Sequence, residues 1–474
     1  MNRTETLCSY LANVADTPLD PETEQLARLH LLDTLASIIA CRDLDAAVVA
    51  RRYVSAFAGM VGAGTAAAGP AAGDTSTWSG GATILGTQQR APVVDAVFAS
   101  AMTGHGAEIN DFIPSVFVQP GPAVVAVALG IGEVTGASLS EVLRAMVAGY
   151  ELAARVPLAL GNNNLRRAGI ASHGIGPCFG AAAAAAALLR LPAPRMADVL
   201  SLTAQQASGS WQWLLDVAHI EKAFVFAGLG ARNGLQAALL VQAGFRGVPD
   251  VLDRPDTWFT SKTFTNSKGD GDLDALVDGL GTRSSLPKVA YKRYPVGGPT
   301  QPAVEALLDL LPEVKAEAVE RVRIEMPGRW EAFRDAEMPA LNLRYLSAII
   351  LLDGCLDFIS AQSLERMHGD ADVAALMTRV EVAHDPAQES GPGEARTESA
   401  RVTIRLSDGA ERSRYVPHVV GFPSHPMPSA MVVDKAVALI APQLGEAGAA
   451  RLVACCLGDE VCDVAGLVAR AGDG

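Results

Sequence analysis

Seven consecutive alanines, Ala181 to Ala187, lie between Phe179-Gly180 and Leu188-Leu189. Alanine is the best helix former, and its small side chain lets neighbouring helices approach closely. The run therefore predicts a helix over 179–191, packed inside a helical body. Pro192 and Pro194 follow it and stop it.

The rest of the first 270 residues agrees with a helical body. Glu24 to Arg42 carries apolar residues at helical spacing. Residues 138–160 begin with Ser138 and Glu141, the two ends of a capping box. Residues 228–245 predict another helix. The stretch from Gly59 to Gly86 is rich in Gly, Ala, Ser and Thr and reads as a loop, returning to structure at Thr83-Ile84-Leu85-Gly86. From about residue 318 the period changes. Val319 to Met326 alternates as a half-buried strand does, and so does Thr378 to Ala383. Arg401 to Leu406 runs into Ser407-Asp408-Gly409, a hairpin signal with a return run behind it. A long helical stretch, 336–363, separates the first two strands, 384–399 is a polar Gly/Pro loop, and helix resumes near Pro428. The expected class is mainly α with a smaller α+β domain: a helical domain over 1–279, an inserted α+β domain over 280–422, and C-terminal helices over 423–474 that rejoin the first. A cleft between two such domains is a natural place for a substrate.

Composition narrows the function. The length of 474 residues favours two domains, and 49% hydrophobic against 19% charged residues fits a well-buried globular enzyme. A net charge of −14 argues against nucleic acid, which needs clustered Lys and Arg, but allows a small anionic substrate in a locally basic pocket. Seven cysteines, an odd number without a CxxC pair, argue against a disulfide framework or a zinc or iron–sulfur site and fit a reducing cytoplasm. The N-terminal segment lacks a signal-peptide core, and the apolar stretches meet Gly, Pro or charge before membrane-spanning length, so no membrane partner is expected. Gly228, Gly230 and Gly234 have the wrong spacing for a dinucleotide loop and read as close helix packing. A Walker A sequence, a G-x-S-x-G elbow and paired metal-ligand histidines are all absent, so neither metal nor cofactor is expected.

Several segments can carry chemistry. Lys292-Arg293-Tyr294-Pro295, followed by Val296-Gly297-Gly298-Pro299-Thr300-Gln301, combines a cation and a phenol with a rigid turn just before a helix. His105 to Phe112 places an imidazole and the carboxylates of Glu108 and Asp111 within seven residues, able to shift one another's pKa; the alternative is a solvated helix end with capping acids. Arg166-Arg167 before Ser172-His173 can form a carboxylate corner, although a surface pair is the commoner arrangement. Lys222 is either a surface charge or a buried cation aimed at a ligand.

Together these segments resemble the MmgE/PrpD family, whose members include 2-methylcitrate dehydratase, cis-aconitate decarboxylase and iminodisuccinate epimerase. The resemblance runs over nearly the whole chain. It rests on Ala82-Thr83-Ile84-Leu85-Gly86, His105-x-x-Glu108-x-Asn110-Asp111, Gly149-Tyr150-Glu151, Phe179-Gly180, Lys222, Gly244-Phe245-Arg246-Gly247, Lys292-x-Tyr294-Pro295 and Leu343-x-Tyr345. It implies a large helical domain with a small α+β lid, a homodimer, and a cofactor-independent reaction on a small anionic substrate. It further implies that Lys222, Lys292 and Tyr345 are retained from the family's site, with Glu108 and Asp111 on its acidic run. The expected catalytic set is Lys222 and Lys292 as stabilisers of the anion, Tyr345 or His173 as the acid and Glu108 or Asp111 as the base, with substrate contacts from His105, Gln119, Tyr150, Arg167 and Gln301. Three family histidines fall on Gln119, Ala171 and Gln301 here. Glutamine can bind but cannot carry a proton at neutral pH.

The expected reaction is therefore a lyase step: removal of a proton α to a carboxylate, then loss of a β leaving group such as water. An epimerase using the same proton abstraction is the second reading. A carboxylate-binding homologue without activity is the third.

Overall fold

The computed structural model describes residues 2–61, 81–265, 270–391 and 398–473. The chain divides into two compact units. A helical unit comprises Met1–Gly106, Asn110–Val289 and Ser429–Gly474; a mixed unit comprises Ala107–Ile109 and Ala290–Pro428. The mixed unit thus begins at Ala290 rather than 280 and ends at Pro428 rather than 422. Residues 280–289 stay with the helical unit because Ser285 gives both its N–H and its hydroxyl to the buried carboxylate of Glu151.

In the helical unit the alanine helix runs Ser172–Leu188, starting seven residues before its predicted position. Pro177 is accommodated inside it. Pro192 and Pro194 do more than stop it, because they open the next helix, Ala193–Gln206. Every residue from Ser172 to Leu188 is buried. Two helices lie close enough against it to exclude a side chain. A Cβ on Gly149, in helix Leu139–Leu160, would come within 2.9 Å of the Gly180 carbonyl oxygen, and one on Gly180 within 2.7 Å of that of Gly149. A Cβ on Gly234, in helix Leu229–Gln242, would lie 2.3 Å from the Cys178 carbonyl oxygen. The 228–234 glycines are therefore packing residues. Ser138 and Glu141 form the predicted capping box. Pro21–Cys41 is a helix, and the short antiparallel strands β1 (Ala82–Thr83) and β2 (Arg90–Ala91) follow the Gly/Ala/Ser loop, whose 62–80 portion lies outside the described residues.

The mixed unit holds a four-stranded sheet: β3 (Val319–Met326), β4 (Val380–His384), β5 (Ala400–Leu406) and β6 (Glu411–Val416), in the order β4-β3-β5-β6. β4 runs parallel to β3, while β5 and β6 are antiparallel neighbours. A register shift between Val319 and Arg321 brings Val319, Val322, Ile324 and Met326 all inside despite the uneven spacing. The predicted 336–363 helix is instead two shorter helices, Leu343–Asp353 and Phe358–Gln362. Gly354 in the left-handed conformation ends the first, and Asp357 caps the second.

Cys455 and Cys462 form a disulfide, against the reducing setting expected from the cysteine count. Ile220–Gln242 is long and apolar enough to cross a membrane, against the sequence reading, yet 61% of its apolar window is buried within the protein, as in a core helix.

Candidate active site

In the helical unit the candidate groups gather around a widened turn. Phe224–Gly228 is a π-helix between Ile220–Ala223 and Leu229–Gln242, a distortion that recurs at functional sites. It places the Phe226 ring between two imidazoles, with centroids 4.7 Å from His105 and 4.2 Å from His173. Trp213 meets Phe226 edge-on at 4.7 Å. The Lys222 ammonium stands 5.4 Å from the centroids of both Trp213 and Phe226. Trp211 is fixed behind them by donating its indole N–H to Ile170 at 3.0 Å. Asp216 shapes the approach by accepting from the backbone N–H of Ala218 and of Lys222. His219, which precedes the Lys222 helix, takes a left-handed φ of 57° and brings its ring 5.1 Å from that of His105.

His105 is oriented by its neighbour. The Asn110 amide donates from Nδ2 to the Asp111 carbonyl at 2.9 Å, so its Oδ1, 2.8 Å from His105 Nδ1, is the acceptor. Nδ1 therefore carries the hydrogen, and Nε2 is the basic nitrogen of the neutral ring. His105, Asn110 and Asp111 are fully buried, so this segment is no solvated helix end. Lys222, 5% exposed, is a buried cation rather than a surface charge.

Asp111 is an acceptor already engaged. Its Oδ1 takes the Gly121 N–H at 3.0 Å; its Oδ2 takes the Tyr150 hydroxyl at 2.6 Å and faces His30 Nδ1 at 3.0 Å. A Cβ on Gly121 would lie 2.5 Å from Asp111 Oδ1, so the glycine admits the carboxylate to the start of helix Gly121–Thr135. Nearby on the His30 helix, Asp33 pairs with Lys435 at 2.6 Å. Burial raises the Asp33 pKa, and Lys435 opposes the shift. Arg167 stands apart, with its side chain 58% exposed and facing Asp270 at 3.4 Å, the surface arrangement. Gln119 is 8% exposed, and its buried Oε1 accepts from no described residue. Ala171, fully buried, caps the alanine helix and donates its N–H to Gly209.

In the mixed unit, Lys292 Nζ lies 2.8 Å from Glu108 Oε2, with side-chain exposures of 1% and 5%. Glu108 reaches it because residues 107–109 pack with this unit. The Tyr291 N–H holds the lysine segment to the Gly421 carbonyl at 2.9 Å. Gln301 locks the turn that follows. Its Oε1 accepts from the Tyr294 N–H at 3.1 Å, and its Nε2 donates to the carbonyls of Tyr294 and Val296 at 2.8 Å each. Gln362 adds a bond to the Pro295 carbonyl. The Tyr345 hydroxyl donates to the Ser360 carbonyl at 2.6 Å, and burial pushes its pKa up to about 12. Tyr294 is likewise pushed up to about 12 by burial.

The structure thus joins Glu108 to Lys292, Asp111 to Tyr150, and His105, His173 and Lys222 around Phe226. Sequence reasoning missed His30, His219, Phe226 and the Trp211/Trp213 pair. His30 did carry a signal, since His30, Asp33 and Thr34 interrupt an otherwise apolar helix at helical spacing.

No curated protein matches the chain in sequence. Residues 5–268 match the MmgE/PrpD N-terminal domain and residues 294–459 the MmgE/PrpD C-terminal domain. The chain therefore belongs to the MmgE/PrpD family, which includes dehydratases and related enzymes.

Proposed function

We propose that this protein is a cofactor-independent lyase that takes a proton from the carbon α to a carboxylate and expels a β leaving group. The observation that carries this reading is the buried Lys292–Glu108 pair. Burying two charges is a poor route to stability, because desolvation offsets most of their attraction. Chemistry gives the pair a use. Glu108 takes the α proton, and the electron pair of the broken C–H bond moves into the substrate carboxylate. Lys292 stabilises the charge that develops there. The electrons then return to form the C=C bond as the β C–O bond breaks. The leaving oxygen takes its proton from the His173 imidazole, a role we assign to it in its protonated form, because the Nδ1–H of His105 is held by Asn110. Lys222, beside the same rings, binds a substrate carboxylate. Asp111 and Tyr150 serve as positioning groups rather than as base and acid, which their mutual hydrogen bond supports. Tyr345 supports the fold through Ser360.

One observation favours an epimerase as the second reading. Of the three positions that hold family histidines, Ala171 has no proton to give and Gln301 has its amide engaged in the turn. Incubation with candidate hydroxy acids in deuterated water separates the cases. Solvent deuterium at the α carbon together with a new C=C bond is the expected result. Exchange with inversion and no unsaturation would replace the lyase by the epimerase. Binding without exchange across the panel would overturn both.

A further inference from the structure

The helical unit contains a cavity of about 280 Å³ at the junction of helix Arg3–Asn13, the start of helix Pro21–Cys41, helix Leu139–Leu160 and residues 281–284. None of the catalytic candidates lines it. Its polar wall is Tyr10, Asn13, Thr23, Arg144, Thr282 and Ser284. Val14, Leu19 and Val147 supply an apolar side.

The charges lining this cavity are compensated with one exception. Glu151 is paired with Arg155 at 2.6 Å and takes two further bonds from Ser285. Arg283 is paired with Asp278 at 2.6 Å. Asp20 caps its helix by accepting from the Thr23 N–H, and hydrogen bonding at Thr23 holds its carboxyl below the usual range. Arg144 has no ion pair with any described residue, and its Nε is buried without a hydrogen bond. Arg144, Val147 and Glu151 recur at the spacing of one helix face, so the guanidinium belongs to the cavity wall. An arginine presents a planar fork that matches the two oxygens of a carboxylate or phosphate. A bound oxyanion would supply the charge partner that Arg144 lacks among the described residues. The hydroxyls and the amide around it suit the hydroxyl groups of a small metabolite.

We infer that this cavity is a second binding site, lined by none of the catalytic candidates, for a small hydroxylated molecule bearing one carboxylate or phosphate group, with Arg144 as its anion anchor. The inference does not rest on the proposed reaction. Such a ligand bridges three helices of the unit and raises the thermal midpoint as it saturates.

Calorimetric titration of the full chain with glycerate and with glycerol 3-phosphate, glycerol serving as the neutral control, tests it and distinguishes the two anion classes. At least one anion is expected to bind and glycerol is not. Arg144→Gln is expected to weaken the bound anion by at least about tenfold, the effect of losing one charge-assisted contact. A crystal structure of the complex should place the oxyanion on the Arg144 guanidinium. Failure of both anions to bind overturns the inference. So does unchanged affinity in Arg144→Gln, or an anion found elsewhere. Should Arg144→Gln lose its helical circular dichroism, Tyr10→Phe carries the test. It removes one hydroxyl and is expected to weaken binding about threefold, in line with a single neutral hydrogen bond; wild-type affinity would overturn the inference.

Discussion

At the scale of single residues, the Lys292–Glu108 pair makes the sharpest claims. Lys292→Ala removes the group proposed to stabilise the developing anion, so kcat/KM should fall by at least about 100-fold, as when one oxyanion donor is lost. It also strands a buried carboxylate, which should reduce stability by about 3–5 kcal/mol in urea titration. Glu108→Gln should abolish turnover to a similar degree while costing less stability, because a neutral amide can still accept from the ammonium. Comparable activity in either variant and the wild type would remove both residues from the mechanism. Gln301 stands where the resemblance led us to expect a histidine, and its hydrogen bonds give the amide a use there. The turn at Tyr294 needs one acceptor and two donors from a single side chain, and neutral imidazole offers one of each. Gln301→His should therefore destabilise the protein by about 1–3 kcal/mol, the penalty of unsatisfied buried groups, rather than restore a proton carrier. Denaturation midpoints check this directly. Sequence alone identified the Gln301 position but not what its amide does, because the three carbonyl and N–H partners are set by backbone geometry.

At the scale of elements, the alanine helix was legible in the sequence because methyl side chains permit few alternatives. Its true start was hidden by Pro177, which reads as a helix breaker but is accommodated within Ser172–Leu188. The π-helix at Phe224–Gly228 was not legible, since one extra residue in a turn leaves the apolar pattern nearly intact. The stacking of His105, Phe226 and His173 depends on it, so the grouping of those two histidines stayed out of reach. The 336–363 helix failed for the opposite reason. Its apolar spacing continues across Gly354, but a left-handed residue there ends the hydrogen-bonding pattern. The close crossing at Gly149 and Gly180 gives an element-scale prediction. Gly180→Ala places a methyl group against a carbonyl oxygen of the neighbouring helix and should lose about 1–3 kcal/mol, as overpacked cores do. Unchanged stability in chemical denaturation would mean that the two helices can separate freely.

For the whole molecule, buried phenols set an alkaline limit. Tyr294 and Tyr345 titrate near 12 when folded, pushed up by burial, against about 10 in an unfolded chain. Both are neutral in either state below about pH 10, so they add no pH dependence there. Between about 10 and 12 the unfolded chain gives up their protons first, and stability falls as pH rises through that window. Tyr345→Phe should make this decline shallower while losing the Ser360 bond, about 1 kcal/mol, at neutral pH. Thermal midpoints measured across that range test both signs. The larger division of the chain into helix and sheet was readable because hydrophobic period changes near residue 318, whereas the exact seams were not, since Ser285 and Glu151 lie far apart in sequence. One feature of this division bears on how the protein is made. The helical unit includes Ser429–Gly474, and Lys435 supplies the cation for Asp33 in one of its first helices. A nascent chain therefore emerges with the helix Pro21–Cys41 incomplete, and that helix must wait, its apolar face uncovered, until Ser429–Gly474 has been translated.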